Sequence, residues 1–447
     1  MAAISVPKGE AVVETEAEKA IFSKVNWHIL PLLLVAYVFA FIDRVNIGFA
    51  QLQMKTDLHL SDHVFALGAG LFFVGYFLFE VPSNLFLEKI GARKTILRIM
   101  LCWGACATLM AWVTAPWQFY VLRFLLGAFE AGFFPGVILY FTYWYPSARR
   151  GRAIAIFMTA TALAGVIVGP LNGALMKFGE GFMGMHGWQW MFIANGVPCL
   201  VIALMVFSML SDTPAQARWL TEEQKRLLIQ RVEGEKTTTG HRHGAMKDLL
   251  TDPKVFVLAV IYFLMSAAVY ALLFWAPTLI RSWGVTDVFQ VGLLKAIPST
   301  IGIVGMVLIG RSSDRMNDRR WHFVFAMCCI TVGLGTIAML APGLVASLSL
   351  YSLAIVGTSA ATPLFFAFVS EYLPKETAAG GIALISSLGN LGPAISPSIS
   401  TWILSSTGDN KYSLFFIVSM YVVAGVVMVV AARPKRKAAA GGVVQPA

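Results

Sequence analysis

Phe41-Ile42-Asp43-Arg44-Val45-Asn46-Ile47-Gly48-Phe49-Ala50 sets an acid and a base side by side at the far end of an apolar helix. Upstream, from Ile29 to Ile42, there is no charged residue. Asp43 lies 15 residues beyond His28, which is roughly 22 Å of helix at about 1.5 Å per residue. That depth falls inside a hydrocarbon core of about 30 Å. A charge there costs about 2.5–3.5 kcal/mol on insertion scales, so such residues face a bundle interior or a wet cavity and mark a route or a proton relay. Asp43 and Arg44 are therefore the first candidates for a working site.

The rest of the chain is built to the same solvent. Its 447 residues are 57% hydrophobic and 13% charged, about half the charged fraction of a soluble domain. Apolar runs long enough to span a bilayer recur from end to end. The expected class is a polytopic, all-α membrane protein, and a soluble enzyme is excluded. The net charge of +10 sits in short loops and does not point to nucleic acid. Cys102, Cys106, Cys199, Cys328 and Cys329 fall inside apolar runs without metal-ligand spacing to His. They read as small packing residues. Residues 1–26 are polar and partly acidic, and the first apolar run is too long for a cleavable signal peptide.

Twelve spans are expected, near 28–50, 64–87, 95–113, 117–141, 151–176, 189–210, 255–280, 288–311, 321–341, 344–372, 378–404 and 411–432. They divide the chain into an N-terminal tail (1–26), a first six-helix half (27–210), a cytoplasmic linker (211–254), a second half (255–432) and a basic tail (433–447). The linker is charge-rich and amphipathic from Trp219 to Val232, and its His241 and His243 read as solvated rather than metal-binding. Lys89, Arg93 and Lys94, then Arg149, Arg150 and Arg152, then Arg311, Arg315, Arg319 and Arg320 crowd alternate loops; the others carry little beyond Lys55, Lys177, Arg281 and Lys411. By the positive-inside rule both termini are cytoplasmic.

The chain repeats at half its length. Asn84-Leu-Phe-Leu-Glu88-Lys89-Ile-Gly91-Ala-Arg93-Lys94 matches Gly310-Arg-Ser-Ser-Asp314-Arg315-Met-Asn317-Asp-Arg319-Arg320, with the two acids 226 residues apart. Pro135 precedes Pro146 by 11 residues, as Pro363 precedes Pro374, and Gly169-Pro170 recurs as Gly392-Pro393. Three features at nearly one offset imply two pseudo-symmetric halves around a central cavity, with the substrate site near the midplane.

These loop motifs and the six-plus-six arrangement resemble the major facilitator superfamily. Asp43-Arg44-Val45-Asn46-Ile47-Gly48, with Glu130-Ala-Gly132-Phe-Phe-Pro135-Gly136 and Trp144-Tyr145-Pro146, resembles its anion:cation symporter branch, and the likeness covers residues 24–432. Asn84 and Glu88 stand where the usual loop has Gly and Asp, and Asn317 replaces a Gly. The resemblance implies proton-coupled import of an organic carboxylate across a bacterial inner membrane, of the phthalate, hydroxyphenylacetate, tartrate or sugar-acid kind. It also implies that Tyr76 and Asn390 contact the anion, matching a second-span Tyr and an eleventh-span Asn of the family.

The residues themselves give a complementary reading. Arg123 and Glu130 are seven apart on the fourth span, hence on one face about 10 Å apart in height. With Asp43 and Arg44 they form a set of two acids and two arginines that sums to zero, as a low-dielectric cavity demands. Asp43 and Glu130 are the expected proton sites; Arg44 and Arg123 the expected anion sites. Aligning the halves puts Tyr351 opposite Arg123 and Thr358 opposite Glu130, so the second half offers hydroxyls and amides. Lys295 either snorkels to the outer surface or meets a second carboxylate. Glu88, Arg93, Asp314 and Arg319, with Glu80 and Glu371, read as an inner gate of ion pairs or as charges at helix ends. Gly165-x3-Gly169-Pro170-x2-Gly173 supports an alternative, a proton-coupled drug or metabolite exporter, against which two fixed positive charges argue. No cofactor, metal or nucleophile constellation is expected, hence no enzyme activity, and nothing marks a dimerisation face.

Overall fold

A computed structural model describes residues 16–236, 252–316, 318–373 and 378–431. Twelve helices in it are long and apolar enough to cross a membrane: Glu18–Asp57, Asp62–Leu87, Ala92–Trp112, Pro116–Trp144, Ala148–Phe178, Gly187–Met209, Pro253–Ser282, Val288–Met316, Arg319–Leu340, Leu344–Tyr372, Gly380–Thr407 and Asn410–Val430. They are numbered below as the first to twelfth spans. The expected basic tail 433–447 lies outside the described residues, as do residues 1–15.

Two hydrophobic cores form. One is built almost wholly from residues 21–232, the other from residues 255–428. The first span is longer than its apolar stretch because its polar start docks onto the linker helix Glu222–Lys236: Glu18 pairs with Arg231. Trp219 stacks on both His28 (4.2 Å between ring centroids) and Trp144 (5.6 Å). The linker helix thus rides on the first core, with Leu228 and Val232 buried.

Three spans are interrupted near mid-length. The first changes helix at Asn46, the fourth at Ala131-Gly132 directly after Glu130, and the eleventh at Asn390-Leu391. Helix breaks at membrane depth are tolerated where backbone is buried in protein or lines a cavity. All three lie beside residues singled out from the sequence.

The halves meet at several pairs of spans, and the second packs on the eleventh, where a Cβ on Gly70 would fall 2.2 Å from the Ala394 carbonyl oxygen. The first span packs on the seventh: a Cβ on Gly48 would fall 2.8 Å from the Phe274 carbonyl oxygen. The fifth packs on the eighth: a Cβ on Gly169 would fall 2.4 Å from the Gly292 oxygen, and one on Gly292 would fall 2.2 Å from the Gly169 oxygen. Only glycine lets two backbones approach so closely. Gln51 Nε2 donates to the Phe274 carbonyl (2.7 Å), Arg281 Nη1 to the Leu52 carbonyl (3.0 Å), and Lys177 pairs with Asp287. With the basic loops taken as cytoplasmic, every one of these contacts lies on the outer side of Arg44.

The cytoplasmic ends are held differently. Arg93 donates its backbone N–H to Asp212 (2.8 Å) and its guanidinium to the Phe207 carbonyl, both within the first half. Arg319 joins Asp314 and Glu371 (Nε to Oε1 3.2 Å), all within the second half. Arg93 and Arg319, two of the expected inner-gate residues, therefore make these contacts within their own side of the molecule. The Glu88 side chain lies outside the described residues. With the described contacts between the halves lying on the outer side, the molecule is closed to the outside.

Candidate functional site

The site forms where the first, second, fourth and seventh spans converge beneath the outer seam. Arg44 is its centre. Its Nε (3.2 Å) and Nη2 both donate to Glu130 Oε1, and its Nη1 donates to the Tyr270 hydroxyl (3.0 Å). The guanidinium lies 5.1 Å from the Tyr76 ring centroid and 5.5 Å from that of Phe72. Such ring contacts favour a planar, weakly hydrated cation. The Arg44 side chain keeps 14% exposure, whereas Glu130 has 1%. The arginine is the member of the pair that water reaches.

Arg123 also meets Phe72, its guanidinium 5.0 Å from that ring centroid. Its Nε donates to the Gly68 carbonyl (3.3 Å), and its Nη2 has no hydrogen-bond partner although the residue is 1% exposed. Glu130 Oε2 is likewise buried without a partner. Both guanidiniums thus lie against the Phe72 ring, with one carboxylate bonded to only one of them. An unsatisfied donor beside an unsatisfied acceptor is costly, and both are positions a ligand or a proton would fill.

Asp43 departs from the expected arrangement. It is 1% exposed, and its carboxylate accepts from Trp103 Nε1 (2.7 Å), the Cys199 thiol (3.4 Å) and Asn46 Nδ2 (3.4 Å). The reason is helical geometry: neighbours in sequence point about 100° apart. Arg44 turns toward the second and seventh spans while Asp43 turns toward the third and sixth. The neutral set of four is therefore split. Arg44, Arg123 and Glu130 share one locale with an excess positive charge, and Asp43 occupies its own pocket in the first core. Cys199, read from the sequence as packing alone, is a thiol donor to that carboxylate.

Tyr76 is where the family resemblance puts it, buried at 6% exposure under Arg44. Asn390 lies at the break of the eleventh span, half-buried, and among the described residues no side-chain hydrogen bond joins it to Arg44. Its neighbour Gly389 abuts Tyr262 of the seventh span, where a Cβ would fall 2.0 Å from the ring. Lys295 does not snorkel. It is 3% exposed, its ammonium has no hydrogen-bond partner among the described residues, and it lies 5.0 Å from the Phe49 ring centroid.

Tyr270, Trp103 and Asp212 were not singled out from the sequence, whereas Phe72, with Phe73 and Trp275, reads there as an aromatic neighbour suited to a less hydroxylated acid. For Tyr270 a signal existed. It lies 226 residues after Arg44, the offset that separates the two loop acids. Arg44 therefore bonds its own counterpart in the other half, and Gly48 meets its counterpart Phe274 in the same way. Trp103 carries no such mark among so many buried aromatics.

Comparison with known proteins gives a consistent picture. The sequence profile of the Major Facilitator Superfamily matches residues 33–360 and 319–445. A protein of Agrobacterium vitis, provisionally named a tartrate transporter, is 41% identical over 429 residues, covering 96% of this chain and 95% of its own. A quinolone resistance transporter of Acinetobacter baumannii is 41% identical over 405 residues, covering 90% of this chain and 92% of its own. Among solved structures, a bacterial homologue of the human lysosomal transporter Spinster, inward-facing and unoccupied, superposes with a TM-score of 0.74 at 16% identity, covering 94% of this chain and 97% of that one.

Proposed function

Because this chain belongs to the Major Facilitator Superfamily, a family of membrane transporters and not of enzymes, we propose that it imports an organic carboxylate together with protons, by alternating access. The observation that carries the proposal is the Arg44–Glu130–Arg123 arrangement: two buried guanidiniums facing one carboxylate, with an Arg123 donor left open. A pocket with one excess positive charge in low dielectric recruits an anion. A guanidinium fork suits a carboxylate held by two parallel hydrogen bonds. The bacterial relatives at about 40% identity support a reading in which the membrane is the inner membrane of a bacterium.

Proton coupling follows from competition. While Glu130 is ionised it holds Arg44 through two of its donors. A proton on Glu130 removes that competitor, and the substrate carboxylate takes the freed fork, with Arg123 Nη2 and Tyr76 beside it. Loss of the proton toward the cytoplasm restores the Arg44–Glu130 pair and expels the anion. Asp43, one residue away but in a separate pocket, is a second proton site acting on the helix break at Asn46 rather than on the anion. Asn390 borders the cavity from the second half. One proton per monoanion is electroneutral, and a second proton would add about 2.3 kcal/mol per 100 mV.

The test is Glu130→Gln in proteoliposomes. Proton-driven uptake should vanish while substrate counterflow persists, because a permanently uncharged side chain leaves the fork free. Unchanged proton-driven uptake removes Glu130 from the scheme. The second reading, proton-coupled efflux of drugs, is favoured by the quinolone resistance relative. It predicts stabilisation of the purified protein by drugs and by no simple carboxylic acid in a thermal-shift screen at low and neutral pH.

A further inference from the structure

We infer that Lys295 forms a second anion subsite, one that takes the distal carboxylate of a dicarboxylic acid and is open only while the outer seam is parted. This rests on the carboxylate-import reading above and specifies its substrate class.

The first ground is the state of the ammonium. It is buried, with the residue 3% exposed, and among the described residues nothing hydrogen-bonds to it. A buried charge without a partner is unfavourable, and a Met of similar length would fill the space without that penalty. Packing therefore does not account for a lysine here.

The second ground is what covers it. Lys295 belongs to the second half, but its cover belongs to the first: the Phe49 ring lies 5.0 Å from its ammonium, and a Cβ on Gly169 would fall 3.4 Å from its own Cβ. It lies three residues inward of Gly292, whose backbone touches Gly169. The closure that brings Gly169 onto Gly292 is thus the closure that buries Lys295. When the halves part on the outside, the ammonium faces the entering solute.

The third ground is position and charge. Phe49 is five residues beyond Arg44 on the first span, a backbone rise of roughly 7–8 Å, and the Lys295 head beside its ring lies outward of Arg44. That rise is comparable to the span of a short dicarboxylate with a hydrogen bond at each end. The Lys295 ammonium adds one positive charge outward of the Arg44–Glu130–Arg123 group, the complement of a second carboxylate. With the outer side closed the subsite is shut, which leaves the ammonium unpaired and favours return of the empty carrier.

The test compares wild type, Lys295→Met and Lys295→Arg in proteoliposome counterflow, with tartrate and its monoamide as competitors. The quantity read is the preference for the diacid, the ratio of the two half-inhibitory concentrations. Lys295→Met should cut that preference by about tenfold or more, the size expected for a lost hydrogen bond to a charged group. Lys295→Arg should retain most of it, and Lys295→Met should melt no lower than wild type without ligand. An unchanged preference in Lys295→Met, or an equal loss in Lys295→Arg, overturns the subsite and leaves carboxylate import standing. Failure of wild type to exchange any carboxylate overturns the import reading itself.

Discussion

The first and seventh spans hold equivalent places in the two halves and meet at the seam, yet their chemistry differs. The first carries Asp43-Arg44; the seventh, at the same offset, carries Val269-Tyr270. Arg44 donates to Tyr270, its own counterpart. A charged residue facing its symmetry mate would face a like charge if both halves kept it, at a cost that rises steeply in low dielectric. Replacing one arginine by a tyrosine turns that repulsion into a hydrogen bond. It leaves the charge chemistry on one side and a neutral contact on the other, so the guanidinium senses both halves at once. The pair is suited to report whether the halves are together.

The sharpest way to break this comparison is Arg44→Lys. The charge survives but the fork does not, so both the Glu130 contact and the stacking on Tyr76 are lost. Uptake should fall by about a hundredfold or more in transport assays, with the protein still inserted and folded. Near-normal uptake would mean that only the charge matters. Next comes Tyr270→Phe, which removes the contact from the second half alone. A hydrogen bond to a charged group is worth about 1.5–3 kcal/mol, so the apparent affinity for the anion should weaken by roughly tenfold or more. Counterflow at saturating substrate should change less.

Asp43→Asn separates the two adjacent residues. Because Asp43 bonds to Trp103, Cys199 and Asn46 rather than to Arg44, anion binding should stay within about threefold of wild type, a mutational effect typical of sites that do not touch the ligand. The pH profile of uptake should flatten. A loss of binding as large as that of Arg44→Lys would put Asp43 back in the anion pocket. The smallest effect is expected at the rim of the seam. Lys177 hydrogen-bonds Asp287 and holds its carboxyl below the usual carboxylate range. A depressed acid contributes above its unfolded pKa and loses that contribution as pH falls through the folded value. The pair is therefore intact at neutral pH and fails only in acid. Both partners are partly exposed, so Lys177→Gln should change uptake by less than about twofold at neutral pH, and any difference from wild type should shrink further in acid.

Much of the architecture was legible because bilayer physics is strict. Uncharged runs of the right length, separated by loops of alternating basicity, leave few alternatives to twelve helices. Arg44, Glu130 and Arg123 stood out in the sequence because a charge at membrane depth needs a reason to be there, whereas Tyr76 was pointed to by the family resemblance alone. The direction of Asp43 was not legible. A residue next to Arg44 shares its depth but not its face, and which spans stand opposite each face is set by packing between distant segments. The partners of the gate residues were not legible either: Arg93 bonds to Asp212 and Arg319 to Asp314 and Glu371, choices set by how the loops pack.

Composition, hydropathy and the half-length repeat by themselves determined a membrane bundle of two six-helix halves with charge buried in the first, because these properties depend on local solvation and on chain spacing alone. Only the tertiary structure decided that Glu130 rather than Asp43 holds Arg44, that Tyr270 closes the contact from the other half, and that Lys295 lies unpaired beneath the glycine seam. Those outcomes depend on helix rotation and on backbone contact between spans more than a hundred residues apart, and no local pattern encodes either.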